Sequence, residues 1–202
     1  MTGAAGSADL EETDPIAAFR EGLARARGSE PGDPTVAALA TADTAGRPAV
    51  RMVLLKQIGE NGLVFFTNYE SRKARHLAAN PWAALCVYWP TIHLQVRAEG
   101  TVERVPDAES DAYFATRPRD SQIAAWASRQ SAPLRERREL EARVEAVEAR
   151  FGGGPVSRPP FWGGYRLLPE RIELWRGREH RLHDRILYRR SGKGWERERL
   201  YP

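Results

Sequence analysis

The chain has 202 residues, enough for one domain with a substantial core, and its 42% hydrophobic and 29% charged content is that of an ordinary globular protein. Its 31 basic residues are interleaved with 27 acidic ones, so the net charge is only +4, which argues against a nucleic-acid partner; a pI near 9.5 is compatible with small phosphorylated ligands. Cys86 is the only cysteine, which excludes an intrachain disulfide and a thiolate metal cluster, and its apolar setting AALCVYW reads as a buried, inert thiol.

Residues 1–13, MTGAAGSADLEET, are small and polar and read as a disordered tail, leaving 14–202 as a single domain. They lack the basic-then-apolar pattern of a secretory signal, and no apolar run approaches the roughly 18 residues of a membrane span, so the expected location is the cytoplasm. Asp14-Pro15 marks a helix start, and Ile16, Phe19 and Leu23 form a helical stripe ending near Gly28. TVAALATAD, PAVRMVLLKQI and LVFFTN are apolar runs separated by TAGR and GENG, which predicts an antiparallel meander. SRKARHLAAN predicts a short helix capped by Ser71, followed by strands in WAALCVYW and HLQVRAEGTVERV. The pattern from Asp107 to Arg150 is helical; in its last helix Leu140, Val144, Val147 and Phe151 share a face, and Glu139 is spaced to pair with Arg143. GGGPVSRPP is a linker, and strands follow in YRLLPERIELW and ILYRR. Strands with helices inserted point to an α+β fold with a mostly antiparallel sheet, and at least six strands favour closure into a barrel.

Four stretches carry candidate chemistry. If RLHDR continues as a strand, Arg181, His183 and Arg185 share one face, with Leu182, Asp184 and Ile186 on the other. Two guanidiniums around an imidazole suit a flat anionic ligand, or form a solvated basic face. Ser71-Arg72-Lys73 opens a helix, where unpaired N–H groups and two cations make either an anion site or an exposed basic turn. Arg51 and Lys56 end an apolar strand and point to opposite faces of a regular strand, so a shared ligand requires a strand end, a bulge or main-chain contacts. In YFATRPRDSQIAAWASRQS, Arg117 beside Tyr113 and Ser121 resembles a phosphate clamp, although Asp120 or Ser121 could equally cap the next helix. His180 and His183 would fall on opposite strand faces, no cluster has metal-ligand spacing, and neither a P-loop nor a GxSxG elbow occurs, so no metal is expected.

RMVLLK, FFTN followed by SRKA, RPRDSQIAAWASRQS, FWGGYR, and WRGREHRLHDR with a closing RLYP occur in that order between about Asp14 and the last residue. Together they resemble the pyridoxine/pyridoxamine 5′-phosphate oxidase family. The resemblance implies an antiparallel split β-barrel with peripheral helices, an obligate homodimer holding FMN at its interface. It implies FMN contacts from Arg51, Met52, Val53, Leu54, Leu55, Lys56, Phe66, Thr67, Arg72, Lys73, Gln95, Gln130, Ser131, Trp175 and Arg185. Lys56, Tyr113, Arg117 and Ser121 would hold the phosphate of a phosphorylated B6 vitamer, with Arg181 and His183 over its pyridine ring as the catalytic pair. The implied reaction is hydride transfer from C4′ to FMN, giving pyridoxal 5′-phosphate, with O2 then reduced to hydrogen peroxide.

Three features depart from the family pattern. No Arg/Tyr-bearing N-terminal segment of the kind that closes over substrate is present, Leu94 stands where an Arg near the flavin or dimer interface is usual, and Phe66 replaces a common Tyr. The alternatives are an FMN oxidase of the same fold acting on a secondary-metabolite intermediate, as in phenazine biosynthesis, and a non-catalytic binder of flavin or pyridoxal phosphate.

Overall fold

The structure, a computed structural model, describes residues 12–202; the tail expectation for residues 1–11 lies outside the described residues. Glu12 is held through its carbonyl, which accepts a hydrogen bond from the Tyr188 hydroxyl at 2.7 Å. Asp14 caps α1 (Pro15–Arg27) by accepting from the Ile16 N–H at 2.9 Å, and the helix stops at Gly28.

The meander follows as β1 (Val36–Ala42), β2 (Pro48–Gly59) and β3 (Gly62–Asn68), all antiparallel neighbours. Next come α2 (Arg72–Ala79), β4 (Trp82–Trp89) and β5 (Leu94–Arg104), then α3 (Asp107–Ala115), α4 (Arg119–Ala127) and α5 (Arg137–Phe151). The chain ends with β6 (Trp162–Arg176), β7 (Asp184–Ser191) and β8 (Gly194–Arg199).

The sheet order is β3-β2-β1-β4-β5-β6-β7-β8, and a further β3–β6 pairing closes the first six strands into an antiparallel barrel. The 15 residues of β6 make this possible. Its first half, Trp162 to Leu167, pairs with β3, and its second half, Arg171 to Arg176, pairs with β7. A bulge at Glu170 of β6, opposite Glu99 and Gly100 of β5, separates the two halves; a Cβ on Gly100 would lie 2.0 Å from the Leu168 carbonyl oxygen, so only glycine allows the strands this close.

Leu39, Leu55, Leu85, Val96, Leu167 and Ile172 fill the interior together with Ile16, Phe19 and Leu23 of α1. Leu94 belongs here too. It is fully buried, and it meets α1 at Gly22, where an added Cβ would lie 2.7 Å from its side chain. The residue expected to remove a charge near the ligand is therefore a core residue. A second apolar cluster, Phe114, Ile123, Val156 and Trp162, lies under α3–α5 and receives Val144, Val147 and Phe151.

Two local expectations are corrected. Arg143 does not pair with Glu139; its Nε donates to the Ala127 carbonyl at 2.6 Å, tying α5 to the end of α4. RLHDR is not continuous strand. β6 and β7 are antiparallel neighbours whose pairing ends at Arg176 and Asp184, so the chain must reverse between them. It does so through a 3-10 turn at Glu179–Arg181, with His180 at φ 55° and Arg181 at φ 62°, and strand geometry resumes only at Asp184. Strict two-residue alternation across Arg181, His183 and Arg185 does not hold, nor does the opposite-face placement of His180 and His183.

Candidate functional site

Strand β3 and helix α2 build a cationic recess. The Lys73 amine is buried and donates to Thr67 Oγ1 at 3.0 Å and to Gln130 Oε1 at 2.8 Å, while Thr67 Oγ1 also donates to Gln130 Oε1 at 3.0 Å. The Arg72 backbone N–H donates to Ser131 Oγ at 3.1 Å, and Ser131 itself sits at φ 74°, a conformation that strains a side-chain-bearing residue. Arg51 reaches in from β2. Burial, then the Arg72 charge, pushes its guanidinium below the ordinary arginine range. Burial, then the Arg51 charge, pulls the Lys73 amine down to about 8. Among the described residues no carboxylate pairs with Arg51, Arg72 or Lys73, so the recess concentrates positive charge at a helix N-terminus.

Phe66, next to Thr67 on β3, belongs to a second group. Its ring stacks on Tyr113 at 4.0 Å and on Trp162 at 5.5 Å, and the Arg117 guanidinium lies 4.7 Å over Trp162. The FWGGYR motif has a steric basis here, because a Cβ on Gly164 would lie 2.8 Å from the Phe66 ring. Arg117 Nη1 is buried without a hydrogen-bond partner, and burial depresses the guanidinium while raising the Tyr113 hydroxyl. Ser121 is the third residue of α4, whose N-cap is Pro118 with no side-chain capping bond, so neither Asp120 nor Ser121 is used as a cap.

A third group lies on the outer face of β5–β7. Gln95 and Arg185 are cross-strand partners of Trp175 from either side. The His183 ring packs on Trp175 at 4.6 Å, and His183 Nδ1 accepts from the Arg178 N–H at 3.1 Å. An open cavity of about 1130 Å³ is lined by His93, Trp175, Arg178, His183 and Asp184. Arg181, in the turn, is exposed.

The block Arg51–Lys56 is divided. Arg51, Val53 and Leu55 face inward, Met52 and Leu54 are exposed on the outer face, and a bulge between Leu55 and Gln57 takes up Lys56. Lys56 opens on a recess of about 200 Å³ beside Arg20 and Arg27 of α1. Cys86 also lies on the outer face, half-buried, with burial raising its thiol. No group of three or more His, Cys, Asp or Glu among the described residues could hold a metal ion, and no described helix is long and apolar enough to cross a membrane.

Two neighbours were not singled out from sequence. Glu173 is buried and accepts from Arg185 and from Arg97, and Trp162 underlies the Phe66–Tyr113 stack. A lone acid inside the apolar run RIELW was a signal for the first. The second lies within the FWGGYR motif, but nothing in the order of residues pointed to its stack with Phe66 and Tyr113.

A closed six-stranded antiparallel barrel with peripheral helices defines an α+β split-barrel protein, and it carries a carboxylate-free cationic recess beside an aromatic stack. The chain belongs to the pyridoxamine 5′-phosphate oxidase family: residues 26–151 match the family model of that description, and residues 162–202 match the pyridoxine 5′-phosphate oxidase C-terminal dimerisation region. It is 62% identical to a pyridoxine/pyridoxamine 5′-phosphate oxidase of Anaeromyxobacter dehalogenans, over 94% of this chain and 96% of that one. It is 54% identical to the protein of that name from Rhodospirillum rubrum, over 96% and 98% of the two chains. Among solved structures, PhzG from Burkholderia lata, crystallised with tetrahydrophenazine-1-carboxylic acid, superposes with a TM-score of 0.89 at 32% identity, covering 95% of this chain and 94% of that one.

Proposed function

We propose that this chain oxidises pyridoxine 5′-phosphate and pyridoxamine 5′-phosphate to pyridoxal 5′-phosphate, using FMN and reducing O2 to hydrogen peroxide. The observation that carries this reading is that consecutive residues of β3 serve two separate cationic sites. Thr67 belongs to the Arg51–Arg72–Lys73 recess and Phe66 to the Arg117 stack, in keeping with the alternation of strand side chains. A phosphorylated cofactor and a phosphorylated substrate together need two such sites.

The donors fit FMN. Three cations with only neutral partners lack the charge that a phosphate dianion brings, and a buried lysine drawn to about 8 regains a full charge beside one. Arg51, Arg72 and Lys73 would hold that phosphate, with Thr67 and Gln130 aiming the Lys73 amine and Ser131 fixing the start of α2. Gln95, Trp175 and Arg185 would contact the flavin ring. Bound FMN supplies a two-electron acceptor that no side chain can replace.

On the substrate side, the unpartnered Nη1 of Arg117, with Tyr113, Ser121 and Lys56, would take the vitamer phosphate. Arg181 and His183 would lie over the pyridine ring and align C4′, so the chain contributes orientation and exclusion of water. The outer face carries exposed Val50, Met52 and Tyr88, continuous with Gln95 and Trp175. We read this face as the contact between two copies, which completes each site from both chains.

Anaerobic mixing of the FMN-loaded protein with each vitamer tests the assignment. Bleaching of the flavin by pyridoxine or pyridoxamine 5′-phosphate, followed by peroxide on admission of air, is expected. A yellow protein that neither vitamer bleaches overturns the substrate and favours the phenazine-type alternative.

A further inference from the structure

Arg51 is held by neutral acceptors alone. Its Nη1 donates to the Leu39 carbonyl at 3.0 Å and to Thr41 Oγ1 at 2.8 Å, and Thr41 Oγ1 lies 3.2 Å from Nδ1 of His76. Thr41 and His76 are both buried. With Arg51 donating to the Thr41 oxygen, the hydroxyl hydrogen is free to point at His76 Nδ1; in that arrangement the imidazole proton sits on Nε2.

His76 lies one turn along α2 from Arg72 and Lys73. The same helix therefore supplies two cations of the recess and, through Thr41 on β1, braces the third on β2. A carboxylate in place of Thr41 would hold Arg51 as firmly but cancel its charge. A hydroxyl polarised by an imidazole orients the guanidinium and leaves the charge intact.

We propose that Thr41 and His76 are positioning residues for phosphate recognition, forming a directed chain Arg51 to Thr41 to His76 that aims Arg51 at the phosphate of the flavin nucleotide. This rests on the reading of the recess as the FMN phosphate site.

The test measures dissociation constants of the apoprotein for FMN and for riboflavin, which lacks the phosphate. Thr41→Val and His76→Leu should each weaken FMN by about tenfold while leaving riboflavin within about twofold. Thr41→Ser, and His76→Asn, which keeps an acceptor near the Nδ1 position, should restore FMN affinity. ¹⁵N shifts of His76 should show the proton on Nε2. Equal weakening of both flavins by Thr41→Val and His76→Leu, no rescue by Thr41→Ser, or a proton on Nδ1 overturns the chain. If the unsubstituted protein itself fails to prefer FMN over riboflavin, the phosphate-site reading fails first, and the chain loses its role with it.

Discussion

Arg185 and Glu173 face each other on neighbouring strands, with Arg185 Nε 2.9 Å from Glu173 Oε1 and Nη2 3.1 Å from Oε2. Arg185 Nη1 donates to the Tyr201 carbonyl at 3.0 Å, and Arg97 holds the same carboxylate from β5. The guanidinium that the family resemblance assigns to the flavin is thus a fixed part of the β5–β7 face, packed in register with Trp175. Its orientation is set before any ligand arrives.

Glu173→Gln should lower stability at neutral pH by about 1–3 kcal/mol, because a buried charge-assisted pair loses one member. Burial alone would raise the Glu173 carboxyl, but Arg185 and Arg97 outweigh it and hold the group below its ordinary 4.5. The stabilisation is therefore complete above about pH 4.5 and is lost as pH falls through the depressed folded value. Denaturant titrations between pH 7 and pH 3 should show the difference between parent and variant shrinking toward the acid end. A constant difference across that range would remove the ion pair as its cause.

Lys73 gives the same sign of pH dependence from a different cause, a burial penalty relieved at high pH rather than an ion pair. The unfolded chain keeps the proton on this amine up to its ordinary 10.5, whereas the folded, ligand-free protein releases it near 8. Between those values the unfolded state binds more protons, so this group makes the apoprotein more stable as pH rises. Lys73→Met should abolish that part of the rise. FMN binding at pH 9 should draw a proton back onto the amine, giving calorimetric heats that depend on the ionisation enthalpy of the buffer. Identical heats in two such buffers would contradict it.

Arg117→Met separates function from stability. Its unpartnered buried Nη1 is a cost in the empty site, offset in part by the guanidinium lying over Trp162. Stability should change by no more than about 1 kcal/mol, while affinity for a phosphorylated vitamer should fall about tenfold or more. A large loss of stability with unchanged affinity would make Arg117 a structural residue.

Met52 is 61% exposed between Val50 and Leu54 on the outer face of β2. Met52→Lys should shift the protein from dimer to monomer in sedimentation experiments and release FMN in parallel. A variant that stays dimeric with its cofactor bound would move the interface elsewhere.

The order of residues alone determined the helices and the meander. Asp14-Pro15, Ser71 and the turn segments TAGR and GENG act over a few positions, and period-two alternation shows which strand faces are buried. The motifs identified the family. Tertiary structure decided what those residues touch. It turned RLHDR into a reversal, because antiparallel β6 and β7 cannot be joined without one, and it set Leu94 into the core against Gly22. It also brought Glu173 to Arg185 and His76 to Thr41 and Arg51. Those partners are separated by 12 and 35 positions in the chain, and only the β6–β7 pairing and the docking of α2 on β1 set the distances between them.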